Sequence, residues 1–190
     1  RRALSFPPNR STIEPKRTAG MGEKRMSRQF PVFLDISSKK IYVYGAGRIA
    51  SRRVKTLLDF SPCLTVIAPE ASQVIRDAHD AGILTWIQGW YEAGAVSADA
   101  CMVLAATDDS AVNEEIWREC REKGILVNVC SDRSLCDFQF PGIALKGDVV
   151  IGINAGGCDH RLAKKWTDRI RKEVERDGND DQAQKAQNDG

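Results

Sequence analysis

Short apolar runs that alternate with helical patterns constrain this 190-residue chain more tightly than any other feature. KIYVYG (40–45) reads as a strand, and Ile49 to Phe60 as a helix ended by Ser61-Pro62. CLTVIAP (63–69) is a second strand, and Ser72 to Ala81 a helix closed by Gly82. ILTWIQG (83–89) is a third strand. ACMVLAAT (100–107) is a fourth, and its almost wholly apolar character places it centrally in a sheet. Ser110 to Lys123 is a helix closed by Gly124, and ILVNVC (125–130) is a fifth strand. This rhythm specifies an α/β fold, a Rossmann-like parallel sheet with helices on both faces. Beyond Cys130 the pattern changes. FQFPGIAL (138–145) and VVIGIN (149–154) read as a β-hairpin across Lys146-Gly147-Asp148, followed by an amphipathic helix with Asp159 as N-cap.

The ends differ in kind from this body. Residues 1–29 hold eight basic and two acidic residues with Pro7, Pro8 and Pro15, and read as a disordered basic arm. Residues 176–190 are polar and low in complexity, and read as a disordered tail. The net charge of +2 gives no basis for nucleic-acid binding. No apolar run approaches the ~18 residues of a membrane span. Six cysteines without a CxxC pair suit reduced, mostly buried thiols, hence a cytoplasmic protein with no metal site expected.

YGAGRIA places Gly45, Gly47 and Ala50 at GxGxxA spacing, between a strand and a helix. The first glycine makes the tight turn, and the second lets backbone approach a pyrophosphate. The small third residue lets helix pack on strand, and the free amides at the helix start bind phosphate. A dinucleotide is the expected cofactor. The second strand ends Ile67-Ala68-Pro69 without the usual ribose-binding acid, and Glu70 follows it. Arg48 and Arg52-Arg53 near the loop would suit a phosphate, so NADP stays open; NAD is the reading adopted. AATDD (105–109) ends the fourth strand, so Thr107 and Asp108 are expected to face the same crevice, with Asp109 or Ser110 capping the next helix.

With these pieces placed, the sequence resembles the precorrin-2 dehydrogenase family, the amino-terminal half of siroheme synthase. The resemblance is carried by FPVFLDI, VYGAGRIASRRVKTLL, LTVIAPE, VLAATDDSAVN, GILVNVCSD, LCDFQFPGIALKGDVVIGINAGG and LAKK. It implies a homodimeric enzyme that oxidises a tetrapyrrole substrate, precorrin-2, to sirohydrochlorin with NAD; some members also insert ferrous iron. It divides the body into an NAD-binding domain (30–137) and a hairpin–helix dimerisation and substrate region (138–175). Matched positions assign cofactor contacts to Gly45, Gly47, Arg48, Ile49, Pro69, Glu70 and Thr107. A substrate rich in carboxylates would meet Arg133, Lys146 and Arg161, with Asn128, Asn154, Gly156 and Gly157 beside them. Arg161, like Lys164 and Lys165, also fits a solvated basic helix face.

The chain departs from the family pattern at three places. Where the family reads NVVDD, this chain has NVCSD, so Ser131 stands at the position of the working aspartate, with Asp132 next to it. These two are the expected catalytic residues, and chelation is expected to be weak. NAGGCDH replaces a hydroxyl-rich S(S/T)GGxSP stretch. The helical carboxy-terminal lobe of longer members is expected to be missing. A non-catalytic dinucleotide- or tetrapyrrole-binding protein is the alternative reading.

Overall fold

The computed structural model of the chain describes residues 29–156 and 159–188, with side chains through residue 176. The predicted arm, apart from Gln29, and the predicted substrate residue Gly157 therefore lie outside the described residues. The Rossmann part runs β1 (Lys40–Tyr44), α1 (Arg48–Leu57), β2 (Leu64–Ile67), α2 (Gln73–Asp80), β3 (Thr85–Ile87), β4 (Ala100–Ala105), α3 (Ser110–Lys123) and β5 (Leu126–Val129). All five strands are parallel, in the order β3-β2-β1-β4-β5. Every element anticipated from the apolar rhythm is present, and the strands are shorter than their apolar runs.

The period-two alternation of strand side chains produces two cores. Ile41, Val43, Val66, Met102 and Leu104 pack against Ala50, Val54 and Leu57 of α1 and Ile75 of α2. Tyr44, Val103, Ala105, Val127 and Val129 point the other way, onto Ile116 and Cys120 of α3. Connections reverse direction between β1 and β4, and a ligand crevice opens beyond the carboxyl ends of such strands.

The hairpin follows, β6 (Gly142–Lys146) paired antiparallel with β7 (Val149–Ile153), and then α4 (His160–Asn188). Asp159 caps α4, its Oδ1 accepting from the Leu162 amide at 2.8 Å. The helical backbone continues to Asn188, past residue 176 where composition alone placed a polar tail. Thr167 of α4 is buried against β6, and Arg171 donates to the Ile143 carbonyl at 2.8 Å, so hairpin and helix form one packed unit.

Candidate functional site

At the switch point the chain leaves β1 through Gly45, with φ +99°. A Cβ here would lie 2.3 Å from the Ala106 carbonyl oxygen, because the ends of β1 and β4 touch at this residue. Gly47 is different. It is the N-cap of α1 in extended conformation, makes no side-chain cap bond, and a Cβ on it would meet nothing within 4 Å. The first turn of α1 also carries no acidic residue. The helix start therefore offers open space and uncapped amides, which is what a dinucleotide pyrophosphate requires.

A crevice of about 710 Å³ opens over this point. That size lies within the range of small-molecule sites. Gly45, Gly47, Arg48, Ile49, Pro69, Glu70, Thr107 and Asp108 all line it, so the structure gathers the predicted cofactor residues from three strand ends. Ala50 is the exception: it is fully buried in the core under α1, where it serves close packing of helix on strand. Arg53 also departs from its predicted place. It lies well inside α1, and its guanidinium donates to Asn128 Oδ1 and to Cys130 Sγ and stacks over Phe140, 5.2 Å from the ring centroid. Its charge serves the end of β5 rather than a phosphate.

The far wall of the crevice is the segment 89–91; the sequence places Gly89 at the end of the third strand and gives Trp90 and Tyr91 no element, whereas β3 ends at Ile87 and all three lie beyond it. Trp90 is exposed there, while Tyr91 turns inward and donates to Glu119 Oε2 at 2.9 Å. Glu119 also accepts from the Val96 amide at 3.0 Å and from Lys123 Nζ at 2.5 Å. Burial alone would raise its pKa, but these donors hold it below the usual carboxylate value. The only sequence signal was a glutamate two turns along an amphipathic helix, indistinguishable from a surface charge.

Asp109 caps α3, accepting from the amides of Ala111 and Val112. One turn on, Asn113 is fully buried. Its Oδ1 accepts from the Thr107 amide (3.0 Å) and hydroxyl (2.8 Å), and its Nδ2 donates to the Thr107 carbonyl (3.1 Å) and to Ser131 Oγ (3.2 Å). β5 ends at Val129, so Ser131 and Asp132 stand beyond the strand alternation and both are exposed. The Asp132 carboxylate is turned onto its own backbone, capping a 3-10 turn (Arg133–Leu135) by accepting from the Ser134 amide (2.8 Å) and hydroxyl (2.7 Å). Those bonds lower its pKa, which makes it a weaker proton acceptor than an ordinary carboxylate.

The predicted substrate residues do not gather as expected. Asn128 is buried, accepts from Arg53 and donates to the Phe138 carbonyl at 2.7 Å, so both ends of its amide hold the fold together. Lys146 pairs with Val149 at the turn of the hairpin, while Asn154, Gly156 and Arg161 follow the other end of β7. A five-residue strand lies between, roughly 13 Å of chain. Arg133 is in the 3-10 turn beside Ser131. Among the described residues no group of three or more histidine, cysteine or acidic side chains could hold a metal ion, and no helix is long and apolar enough to cross a membrane.

Residues 32–142 match the model of a family described as NAD(P)-binding. Among curated relatives, the chain is 34% identical over 146 residues to "Probable multifunctional siroheme biosynthesis protein HemA" of Ruminiclostridium josui, covering 76% of this chain and 28% of that protein. It is 32% identical over 140 residues to a siroheme synthase of Photorhabdus laumondii, covering 74% and 30%. The chain thus spans less than a third of the length of the relatives it matches. Among solved structures, SirC, a precorrin-2 dehydrogenase, superposes with a TM-score of 0.67 at 25% identity, covering 76% of this chain and 70% of that one.

Proposed function

This chain belongs to the NAD(P)-binding family and to its precorrin-2 dehydrogenase and siroheme synthase group, and from that premise we propose that it oxidises precorrin-2 to sirohydrochlorin with NAD⁺. The observation that carries this reading is a hydrogen-bonded link from the crevice wall, formed by the start of α1 and Thr107, through Asn113 to Ser131. The cofactor end and the family's catalytic position are joined by one side chain.

Each part of the chain has a physical task in the reaction. The amides at the start of α1 bind the pyrophosphate, with Gly47 leaving it room and Arg48 adding charge. Ile49, exposed at the crevice, gives the cofactor an apolar surface. Glu70 lies at the end of β2, where a carboxylate favours a free ribose hydroxyl over a 2′-phosphate. When bound, NAD⁺ supplies the hydride acceptor. The substrate gives up a hydride and a proton; Ser131, exposed and held by Asn113, orders the solvent that receives the proton. Arg133 and Arg161 meet the substrate's carboxylates. The resemblance also implies a homodimer, and exposed Leu145, Val149, Leu162 and Trp166 on the hairpin and α4 support it.

Purified protein with precorrin-2 and NAD⁺ should develop sirohydrochlorin absorbance with equimolar NADH. No product, alongside measurable NADH binding, would overturn the dehydrogenase and leave a dinucleotide-binding protein. That second reading has one specific observation in its favour, the serine at position 131.

A further inference from the structure

Asn113 is the only side chain in the crevice region, among the described hydrogen bonds, that contacts both Thr107 and Ser131. Its amide orientation is fixed without reference to either hydroxyl. A backbone N–H can only donate and a backbone carbonyl can only accept. The Thr107 amide therefore requires Oδ1, and the Thr107 carbonyl requires Nδ2. With the amide so fixed, its remaining N–H points at Ser131 Oγ, and a lone pair of that hydroxyl is committed to it. The Ser131 proton is left to donate away from Asn113, toward solvent. On the other side, the single proton of Thr107 Oγ1 is shared between two acceptors, Asn113 Oδ1 at 2.8 Å and the Asp109 carbonyl at 2.9 Å, which fixes its rotamer at the crevice.

Local structure places this clamp and makes it rigid. Asp109 caps α3 and sets its start, and Asn113 lies one turn along, with its amide donating to the Asp109 carbonyl at 3.1 Å. That spacing brings Asn113 under the loop leaving β4 and beside the end of β5. It is fully buried, so water cannot replace a lost partner at no cost.

We propose that Asn113 is the positioning residue of this site, holding Thr107 against the cofactor and Ser131 against the substrate through one amide. This rests on the dehydrogenase reading for its second half, and the measurements separate the two. Three variants divide the amide. Asn113→Ala removes every bond of the amide; Ser131→Ala removes only the far acceptor; Asn113→Asp keeps an acceptor for the Thr107 amide but sets a second acceptor against the Thr107 carbonyl. NADH binding, followed by fluorescence and needing no tetrapyrrole, should weaken about tenfold in Asn113→Ala and in Asn113→Asp, and stay within about threefold of the parent in Ser131→Ala, which leaves every Thr107 bond in place. In steady-state turnover of precorrin-2, Ser131→Ala should lower kcat about tenfold while KM for NAD⁺ changes little. Adding Ser131→Ala to Asn113→Ala should lower kcat no further than Asn113→Ala alone, because the bond the two residues share is already lost.

Amide hydrogen exchange on the free protein covers the case of a variant that folds poorly. Ser131→Ala, an exposed change, should speed exchange in the segment 130–132, and Thr107→Val should do so in the segment 106–108. Parent-like NADH affinity in a folded Asn113→Ala overturns the cofactor half. Multiplicative losses in the double variant overturn the substrate half. A parent protein inactive on precorrin-2 refutes the dehydrogenase reading instead, and NADH affinity and exchange then decide for or against the clamp.

Discussion

Two glycines separated by one residue illustrate how differently the same residue type can be required. Gly45 is demanded by the protein itself, since any side chain would strike the Ala106 carbonyl. Gly47 is demanded by nothing in the protein, because space is open around it. Gly47→Asp should therefore fold normally, and as an N-cap aspartate it should gain a few tenths of a kcal/mol in helix stability. It should at the same time weaken NADH binding by more than about 100-fold, roughly 2.7 kcal/mol, by setting a carboxylate against the pyrophosphate. A thermal melt beside an NADH titration checks both. Binding at parental affinity would place the cofactor elsewhere. At position 131, the amide donor of Asn113 faces a residue that could equally be a carboxylate. Ser131→Asp should be accepted within about 0.5 kcal/mol of stability, as exposed substitutions usually are. It should raise precorrin-2 turnover and bring iron insertion with it; parental rates in both assays would show that the serine limits neither. The glycines were legible in the sequence because strand–turn–helix context gives GxGxxA a mechanical meaning. Asn113 was not, because a buried asparagine on a helix looks the same as an exposed one until its partners, from two other elements, are placed.

At the level of elements, α3 does most of the work of shaping the crevice. Its first turn carries Asn113, and its third carries Glu119, which anchors the β3–β4 connection through Tyr91 and Val96. The connection in turn presents segment 89–91 to the crevice. Glu119 is buried and held ionised by its donors, so its folded pKa lies below the unfolded value. The stability it contributes is full above the unfolded value of about 4.5 and declines as pH falls toward and through the depressed folded pKa. Glu119→Gln should cost about 1–3 kcal/mol at neutral pH and flatten the acid side of the stability profile. Denaturant melts from pH 3 to 7 test this, and an unchanged acid limb would exclude Glu119 as its source. The edge strand β5 is managed by a similar device. Asp137 returns along it, its amide donating to the Val127 carbonyl at 2.9 Å and its carboxylate accepting from the Val127 amide at 3.0 Å. Cys136 Sγ accepts from the Val129 amide at 3.2 Å. Side chains thus finish a ladder that a sixth strand would otherwise complete, which protects an exposed edge. The apolar rhythm predicted the strands; it carried no information on what covers the last of them.

Across the whole molecule, the hairpin and α4 pack on each other and leave Trp166, Leu162 and Val149 in solvent. For the proposed homodimer, Trp166→Glu should convert a dimer to a monomer by light scattering while leaving NADH binding at the crevice near parental, since none of the described side chains of α4 lines that wall. A parent that is itself monomeric at micromolar concentration would remove the dimer from the account. The same separation explains why Lys146 and Arg161 fall at opposite ends of the hairpin: sequence proximity to a resembled cleft says nothing of which end of a strand faces it. The sequence by itself determined the parallel sheet, the helix cap at Asp159 and the glycine turn after β1, and it narrowed the cap of α3 to Asp109 or Ser110. Each depends on residues close in the chain, through strand alternation, capping and backbone sterics. Tertiary structure alone decided that Arg53 serves β5, that Asn128 is a brace, that Asp132 caps its own turn and that Asn113 joins Thr107 to Ser131. A hydrogen-bonding side chain has several possible partners of equal chemistry, and only the packed positions of distant elements choose among them.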